Sequence, residues 1–273
     1  MSLQRQLCSA LKAPKWLNRA SRVLDAVYLD RASFSVQLFN EWLNGEPEHR
    51  IIAKFCNPSK ISIDVGVAKG YYLHIFERYS AQCVGFEPNP IFYAEVHKRF
   101  PRTRIENCAL SSAPGQTKLR VPLVTGVPYS GFGTIEHENT LSGFESGALR
   151  EFPVEVKTLD SFNLDNIGLI KIDVEGHEWD VLSGAAATIE RSRPNFMIEI
   201  EERHKPGNLA KIGGFFAQKG YGIFFLKEGR LHRLVELDAK ILQNPDGPIA
   251  PDVYFNNFFF LSSPQDHREL MAA

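Results

Sequence analysis

The stretch ISIDVGVAKGYY, Ile61–Tyr72, is the part of the sequence that decides the fold. Its apolar first half predicts a buried strand, and the glycines of the pattern Asp64-x-Gly66-x-x-x-Gly70 let the chain turn sharply out of a sheet. A helix that begins near Gly70 directs its free N–H groups and its positive dipole end back towards the end of that strand. The stretch therefore predicts a ligand site at the carboxyl end of the first strand of an α/β sheet.

The acidic residue after the next strand indicates what kind of ligand this is. Glu87 follows the strand in CVGFEPNP, where a carboxylate can accept hydrogen bonds from both ribose hydroxyls of a nucleoside. The first turn has neither the G-x-G-x-x-G pattern of dinucleotide sites nor the G-K-S/T end of a phosphate-binding loop. A nucleoside held without a pyrophosphate loop indicates S-adenosylmethionine. The cofactor-binding candidates are Asp64, Gly66, Gly70, Tyr72, Glu87, Asn89, Cys108, Ala109 and Asp173.

Short apolar runs alternate with helix-like segments over most of the chain. The runs include ISIDVG, CVGFEP, RIENCAL, LIKIDVEG and NFMIEIEE. Such alternation predicts right-handed crossovers and a mostly parallel sheet with helices on both faces. We therefore expect a doubly wound α/β domain of about seven strands in residues 57–263. A helical N-terminal extension is expected in residues 1–56, and a C-terminal tail in residues 264–273.

Composition limits the class of protein. The chain has 273 residues, 44% of them hydrophobic, and a formal net charge of −1, so a nucleic acid or an anionic membrane is not the expected partner. Its four cysteines have no C-x-x-C spacing, which indicates reduced thiols. Because no apolar run of the signal-peptide or membrane-spanning type occurs, we expect a soluble cytoplasmic protein.

A cluster of acidic residues follows a second apolar run in LIKIDVEGHEWDVLSG, Leu169–Gly184. Asp173 and Glu175 come at the end of a strand that should lie beside the first one, so they are expected to open into the same crevice. Glu178 and Asp180 fall in the first turn of the next helix, where the dipole favours each carboxylate by about 0.3–1 kcal/mol. The first pair is therefore the functional candidate.

S-adenosylmethionine has a methyl group on a sulfonium, and an enzyme that transfers this group has to align the acceptor and remove its proton. Asp173 is predicted to orient the acceptor or the sulfonium, and His177 or His204 is predicted to be the general base. Glu175 completes the catalytic candidates. The spacing shows no metal signature and no metal is predicted, although Mg²⁺ held by Asp173, Glu175 and His204 is an open alternative.

Taken together, these motifs resemble the FkbM family of class I S-adenosylmethionine-dependent methyltransferases. The matching segments are IDVGVAKGYY, GFEPNP, NCALSSAPGQTKLRV, VKTLDSF, LIKIDVEGHEWDVLSGA and RPNFMIEIEE, which follow the family order between about Ile61 and Glu202. The resemblance implies a seven-stranded sheet whose last strand is antiparallel, with S-adenosylmethionine as cofactor. It also implies methyl transfer to a hydroxyl oxygen of a small molecule or sugar.

The resemblance assigns roles to single residues. It implies that Asp64, Gly66 and Gly70 surround the methionine end of the cofactor, that Glu87 binds the ribose, and that Asp173 lies beside the transferred methyl group. The first motif departs from the family, which has Ala-Asn where this chain has Val67-Ala68. A contact made by the missing amide side chain must come from elsewhere.

Three alternatives stay open at this point. A nicotinamide-dependent oxidoreductase shares the sheet and the ribose acid but lacks support from the glycine pattern. A nucleic-acid methyltransferase that acts on a base amino group should have an Asn/Asp-Pro-Pro-aromatic motif where this chain has DVEG. A non-catalytic cofactor-binding module is kept open by the departure at Ala68.

The long segment VPYSGFGTIEHENTLSGFESG is predicted to be either a lid over the acceptor, with Tyr129, Phe132 and Phe144 as stacking surfaces, or a disordered insertion. The expected partner is a small-molecule or carbohydrate acceptor. A homodimer is possible.

Overall fold

A computed structural model describes residues 31–124, 127–128, 133–139, 141, 149–235, 242–243 and 254–271. The chain divides into two compact units, residues 1–53 and 54–273. The described part of the first unit contains helix α1, Arg31–Asn44, and the 3-10 helix Pro47–Arg50. A cap formed by residues 1–56 stays a prediction.

The second unit contains the strands and the remaining helices. The described strands are β1 (Ile61–Val65), β2 (Gln82–Phe86), β3 (Arg104–Glu106), β4 (Ala109–Leu110), β5 (Gly115–Val124), β6 (Val127–Pro128), β7 (Leu149–Lys157), β8 (Ile167–Ile172), β9 (Asn195–Glu199), β10 (Gly222–Lys227), β11 (Arg230–Arg233) and β12 (Asn257–Leu261). The described helices are α2 (Tyr71–Tyr79), α3 (Pro90–Arg99), α4 (Glu178–Ser183), α5 (Ala186–Ser192) and α6 (Asn208–Gln218). The remaining described elements are the 3-10 helices Ile52–Phe55, Leu159–Phe162 and Pro264–Leu270. The first of these spans the division between the units.

The central sheet has the strand order β11-β10-β12-β9-β8-β1-β2-β3. Neighbouring strands from β9 to β3 are parallel, and β12 runs antiparallel between β9 and β10. The predicted doubly wound, mostly parallel α/β fold is thereby confirmed, including an antiparallel last strand. Because β1 lies between β8 and β2, the order reverses at β1, and the carboxyl ends of these strands flank a crevice.

The described central sheet has eight strands, one more than the family pattern of seven. The additional strand comes from the segment YGIFFLKEGRLHRL, whose apolar run predicts one strand but which forms the hairpin β10–β11. Its turn residues Glu228 and Gly229 both have positive φ, 50° and 77°. Two such residues make the tight turn that suits the twist of a hairpin.

The core lies on both faces of this sheet. β8, β9 and β12 are almost continuously buried, as expected for strands covered on both sides. Helix α6 places Leu209, Ile212 and Phe216 against the sheet at helical spacing. The Phe216 ring stacks on Phe260 with centroids 4.3 Å apart, and each fully buried side chain of this kind contributes about 1.5–3 kcal/mol.

A second described sheet has the order β4-β7-β5-β6. The segments KLRVPLV and FPVEVKTLDSF, whose sequences predict extended edge segments, pair with each other here as β5 and β7, separately from the central sheet. Arg120 on β5 also bridges to Thr134, and the Thr134 hydroxyl donates a hydrogen bond to the Glu175 carbonyl, 2.9 Å away. The second sheet thus positions residues 133–139 beside the end of β8. Tyr129, Phe132 and Phe144 of the predicted lid lie outside the described residues.

Candidate active site

Gly66 joins the ends of β1 and β8. Its φ is +84°, and a Cβ at this position would stand 1.9 Å from the Asp173 carbonyl oxygen. The Asp173 amide donates a hydrogen bond to the Val65 carbonyl, 3.0 Å away, which brings the two strand ends together. Only glycine fits this approach of two backbones.

Ala68 adopts a left-handed conformation, with φ +47°. Asn and Gly are favoured over Ala at such a position. The Ala68 amide donates a hydrogen bond to Glu87 Oε2, 2.7 Å away. The departure from the family therefore falls on a residue whose backbone contact is kept and whose conformation is strained.

Glu87 ties the turns after β1 and β2 together. Its Oε1 accepts a hydrogen bond from the Asn89 amide at 2.8 Å, while Oε2 accepts from Ala68. Burial raises the pKa of Glu87 to about 7, although these two amide hydrogen bonds oppose that shift. Asn89 caps α3 through its Oδ1, but its buried Nδ2 has no hydrogen-bond partner among the described residues. A buried donor of this kind needs an acceptor from a ligand or from water.

A cavity opens at the carboxyl ends of β1, β2 and β8. It encloses about 650 Å³ of space, a figure that includes open solvent at its mouth. Its lining brings together most of the predicted site residues: Gly66, Glu87, Asn89, Cys108, Ala109, Asp173, Glu175 and His177. Asp64, Gly70, Tyr72 and His204 are not part of the lining.

Lys171, on β8, is a buried residue of the site that the sequence analysis did not single out. Its ammonium lies 3.1 Å from Asp173 Oδ2, 3.8 Å from Asp64 Oδ1 and 4.9 Å from the Tyr72 ring centroid. Burial raises the pKa of Asp64 to about 6, and the Lys171 charge opposes that rise. Asp64 and Tyr72 therefore lie outside the cavity lining and next to Lys171, which pairs with the lining residue Asp173. A lysine inside an apolar strand was the available signal, because a buried charge needs a partner.

Gly70 and Glu178 have structural roles. Gly70 has φ +83°, and a Cβ there would meet the Phe100 ring at 2.6 Å. Glu178 is buried, and its two carboxylate oxygens accept hydrogen bonds from the Gly176 amide and from Asn208 Nδ2, each 2.8 Å away. Glu178 is therefore more than a carboxylate placed near the helix dipole.

His204 contacts the cavity residue Glu175 instead of lining the cavity itself. Its Nδ1 lies 3.2 Å from Glu175 Oε2. Burial raises the pKa of Glu175 well above its usual value, and the nearby carboxylates of Asp173 and Glu201 add to the rise. Burial also lowers the pKa of His204. Both pKa shifts favour the neutral forms of Glu175 and His204.

His177 lines the cavity and has partners on both ring nitrogens. Its Nε2 lies 2.9 Å from Ser111 Oγ, and its Nδ1 lies 3.1 Å from Glu136 Oε2. Lys205 Nζ donates a hydrogen bond to the same Glu136 oxygen at 2.7 Å. Glu136 lies in the segment predicted to be a lid, and neither its sequence position nor its neighbours indicated this contact.

The described residues contain one group with spacing that would suit a metal ion, formed by Glu136, His177 and Asp180. The Lys205 ammonium lies 2.7 Å from Glu136 Oε2 and 3.6 Å from Asp180 Oδ2. Lysine therefore provides the counter-charge of this group, and we do not assign these residues as metal ligands.

Comparisons with known proteins match this chain to one family. The family model described as the methyltransferase FkbM domain matches residues 64–223. A crystal structure of methyltransferase FkbM from Methylobacillus flagellatus KT has 16% sequence identity and a TM-score of 0.49, and the match covers 89% of this chain and 58% of that one. The present chain thus spans well under two thirds of that protein. No match is found among curated proteins.

Two further solved structures are similar at lower identity. An rRNA methylase from Streptococcus thermophilus has 12% identity and a TM-score of 0.43, with coverage of 78% of this chain and 93% of that one. A candidate methyltransferase from Streptococcus mutans in complex with SAH has 8% identity and a TM-score of 0.41, with coverage of 78% and 94%.

A doubly wound sheet with a cavity at its switch point is the architecture of domains that bind nucleosides and nucleotides, and class I methyltransferases are among them. The family match covers more than half of the sequence, and the chain belongs to the FkbM methyltransferase family. S-adenosylmethionine is accordingly its cofactor, so the family and cofactor predicted from the sequence are confirmed. No helix among the described residues is long and apolar enough to cross a membrane.

The cavity has groups that fit this cofactor. Asn89 Nδ2 is a buried donor that needs an acceptor, and Glu87 is a buried acceptor beside it. Cys108, Ala109 and Leu110 supply apolar lining, as a nucleoside base requires.

Proposed function

We propose that this protein transfers the methyl group of S-adenosylmethionine to a hydroxyl oxygen of a small molecule or sugar. The observation that carries the proposal is that the imidazole of His177 lines the same cavity as Asp173 and has Glu136 at its Nδ1. A carboxylate and a histidine beside one cavity supply what an alcohol acceptor needs, namely orientation and a base.

The cofactor would be held by the turns after β1, β2 and β3. Gly66 would approach it with backbone, Glu87 would accept hydrogen bonds from the ribose hydroxyls, and Asn89 would donate one. Cys108 and Ala109 would contact the base. When bound, S-adenosylmethionine supplies an electrophilic methyl group on a positively charged sulfur.

Asp173 is the residue that we place beside the reacting atoms. Its carboxylate borders the cavity, and Lys171 holds it from behind at 3.1 Å. A fixed carboxylate here can accept a hydrogen bond from the acceptor hydroxyl and lies near the sulfonium charge. Glu175 forms the adjacent wall.

We assign His177 as the general base and His204 as a supporting residue. An ionised Glu136 can only accept a hydrogen bond, so the proton of a neutral His177 lies on Nδ1 and Nε2 is the basic atom. The Ser111 hydroxyl lies at Nε2, and the acceptor hydroxyl would replace it. His204 has a pKa lowered by burial and is not part of the cavity lining.

The test is methyl transfer from labelled S-adenosylmethionine to a panel of sugars, glycans and hydroxylated small molecules. We expect His177→Ala to lower kcat by about 10²–10⁴ and Asp173→Asn to lower it comparably. Ser111→Ala is the matched control and should retain activity, because it removes only a competitor for Nε2. Near wild-type rates in Asp173→Asn, His177→Ala and His204→Ala would contradict the proposal.

A non-catalytic cofactor-binding module is the main alternative, because Ala68 departs from the family. It would bind S-adenosylmethionine in a calorimetric titration while no acceptor is methylated. A nicotinamide-dependent oxidoreductase would not bind it.

The metal alternative is tested by chelation, and we expect activity to survive exhaustive treatment with EDTA.

A further inference from the structure

We propose that Glu136 is the positioning residue of His177: its carboxylate fixes the imidazole with the proton on Nδ1, and Lys205 fixes the carboxylate. This inference rests on the proposed function only for its catalytic meaning, because the arrangement of the three side chains can be tested without any acceptor. Glu136 does not touch the reacting atoms.

The three side chains converge on one oxygen atom. Glu136 Oε2 lies 2.7 Å from Lys205 Nζ and 3.1 Å from His177 Nδ1, and Glu136 Oε1 accepts a hydrogen bond from the Glu138 amide at 3.2 Å. Ser111 Oγ lies 2.9 Å from the other ring nitrogen. The imidazole is thus held at Nδ1 by Glu136, and Lys205 holds Glu136. Ser111 occupies the position at Nε2 that the acceptor hydroxyl would take.

The backbone around Glu136 is fixed by hydrogen bonds to the end of β8. Thr134 Oγ1 and Asn139 Nδ2 both donate to the Glu175 carbonyl, each at 2.9 Å. Arg120 donates to the carbonyls of Glu136 and Asn139. Because these contacts lie on both sides of Glu136, its carboxylate is held in place before any acceptor binds, as a positioning residue requires.

The charges around His177 support an ionised Glu136. Burial alone raises the pKa of this carboxyl, but hydrogen bonds from Lys205, the Glu138 amide and His177 outweigh burial and lower the pKa to about 2. Asp180 Oδ2 lies 3.8 Å from His177 Nδ1. Lys205 lies within 4 Å of all three acidic side chains on this side of the ring, those of Glu136, Glu138 and Asp180.

The direct test is the tautomer of His177, measured by nitrogen-15 NMR on histidine-labelled protein, with His177→Ala used to assign its signals. We expect the neutral ring to have its proton on Nδ1 in the wild type. Glu136→Ala should shift the ring towards the Nε2 tautomer. Glu138→Gln is the matched control, because it removes a negative charge from an exposed side chain two residues after Glu136. It should leave the tautomer unchanged. A wild-type ring with its proton on Nε2, or no change in Glu136→Ala, would overturn the inference.

The second test uses the pH profile of kcat/KM, which a purely structural role would not move. Glu136→Gln removes the charge that stabilises a protonated ring, so the acidic limb should move to lower pH. Lys205→Met leaves Glu136 uncompensated, so the limb should move to higher pH. Unmoved limbs, or limbs that move together, would overturn the inference. The predicted tautomer without methyl transfer to any acceptor would instead count against the proposed function.

Discussion

Lys171 Nζ lies 3.1 Å from Asp173 Oδ2, so a buried lysine two residues earlier holds the carboxylate that we place beside the transferred methyl group. The same ammonium lies 3.8 Å from Asp64 Oδ1. Lys171 is 3% exposed and Asp64 is 1% exposed. Charges this deeply buried are tolerated when they are paired, and removal of one partner is costly.

Lys171→Met is therefore expected to lower the free energy of unfolding by about 3–5 kcal/mol. The loss arises because the buried Asp64 carboxyl loses its counter-charge and must either stay ionised without a partner or take up a proton. Asp64→Asn in the same chain should restore part of the loss, and a double-mutant cycle in urea should give a coupling of about 0.5–3 kcal/mol. Additive effects of the two substitutions would show that the charges do not interact.

The left-handed conformation of Ala68 predicts a stabilising substitution. Ala68→Asn restores the family residue and relieves strain at φ +47°, so it should stabilise the protein by about 1 kcal/mol, or about 2–4 °C in Tm. Ala68→Val is the matched comparison and should lower the Tm, because a β-branched side chain tolerates this conformation least. Thermal unfolding followed by circular dichroism checks both. A lower Tm in Ala68→Asn would contradict the strain.

The buried carboxyl of Glu178 predicts a pH dependence of stability. Burial raises its pKa to about 7, against the opposing hydrogen bond from Gly176. Below the pKa that Glu178 has in the unfolded chain, the carboxyl is protonated in both the folded and the unfolded state, so no stability is lost. Between that value and pH 7 only the unfolded state ionises, so stability falls as pH rises, by on the order of 3 kcal/mol in all.

Glu178→Gln removes this titration. The free energy of unfolding of this variant in urea should rise relative to that of the wild type as pH rises from about 4.5 to 7. Parallel curves for the two proteins would contradict a protonated Glu178.

The sequence alone was sufficient to predict the parallel half of the central sheet. The runs of β1, β2, β8 and β9 are short, apolar and separated by helix-length segments, which leaves few arrangements other than a doubly wound sheet. The β10–β11 hairpin was missed because Glu-Gly is a weaker turn signal than Asn-Gly or Asp-Gly. The second sheet was missed because the pairing of β5 with β7 spans a long connection.

The site was predictable where its residues follow strand ends. Gly66, Glu87, Asp173 and His177 do so, and the cavity lining includes all of them. Glu136 does not follow a strand of the central sheet, and only the packing of the second sheet brings it to His177. Side chains that reach a site from a long connection depend on tertiary contacts that no local pattern encodes.

The central claim is that the cavity at the switch point, whose wall depends on the close approach of Gly66 to Asp173, binds S-adenosylmethionine. The most direct measurement is calorimetric titration of this cofactor into the wild type, Gly66→Ala and Gly207→Ala. Both glycines have φ +84°, but a Cβ at Gly207 meets nothing within 4 Å, so the pair separates the steric clash from backbone strain. We predict one site in the wild type, unchanged affinity in Gly207→Ala, and affinity weakened at least about tenfold in Gly66→Ala, about 1.4 kcal/mol. No binding to the wild type, or equal binding by all three, would contradict the account.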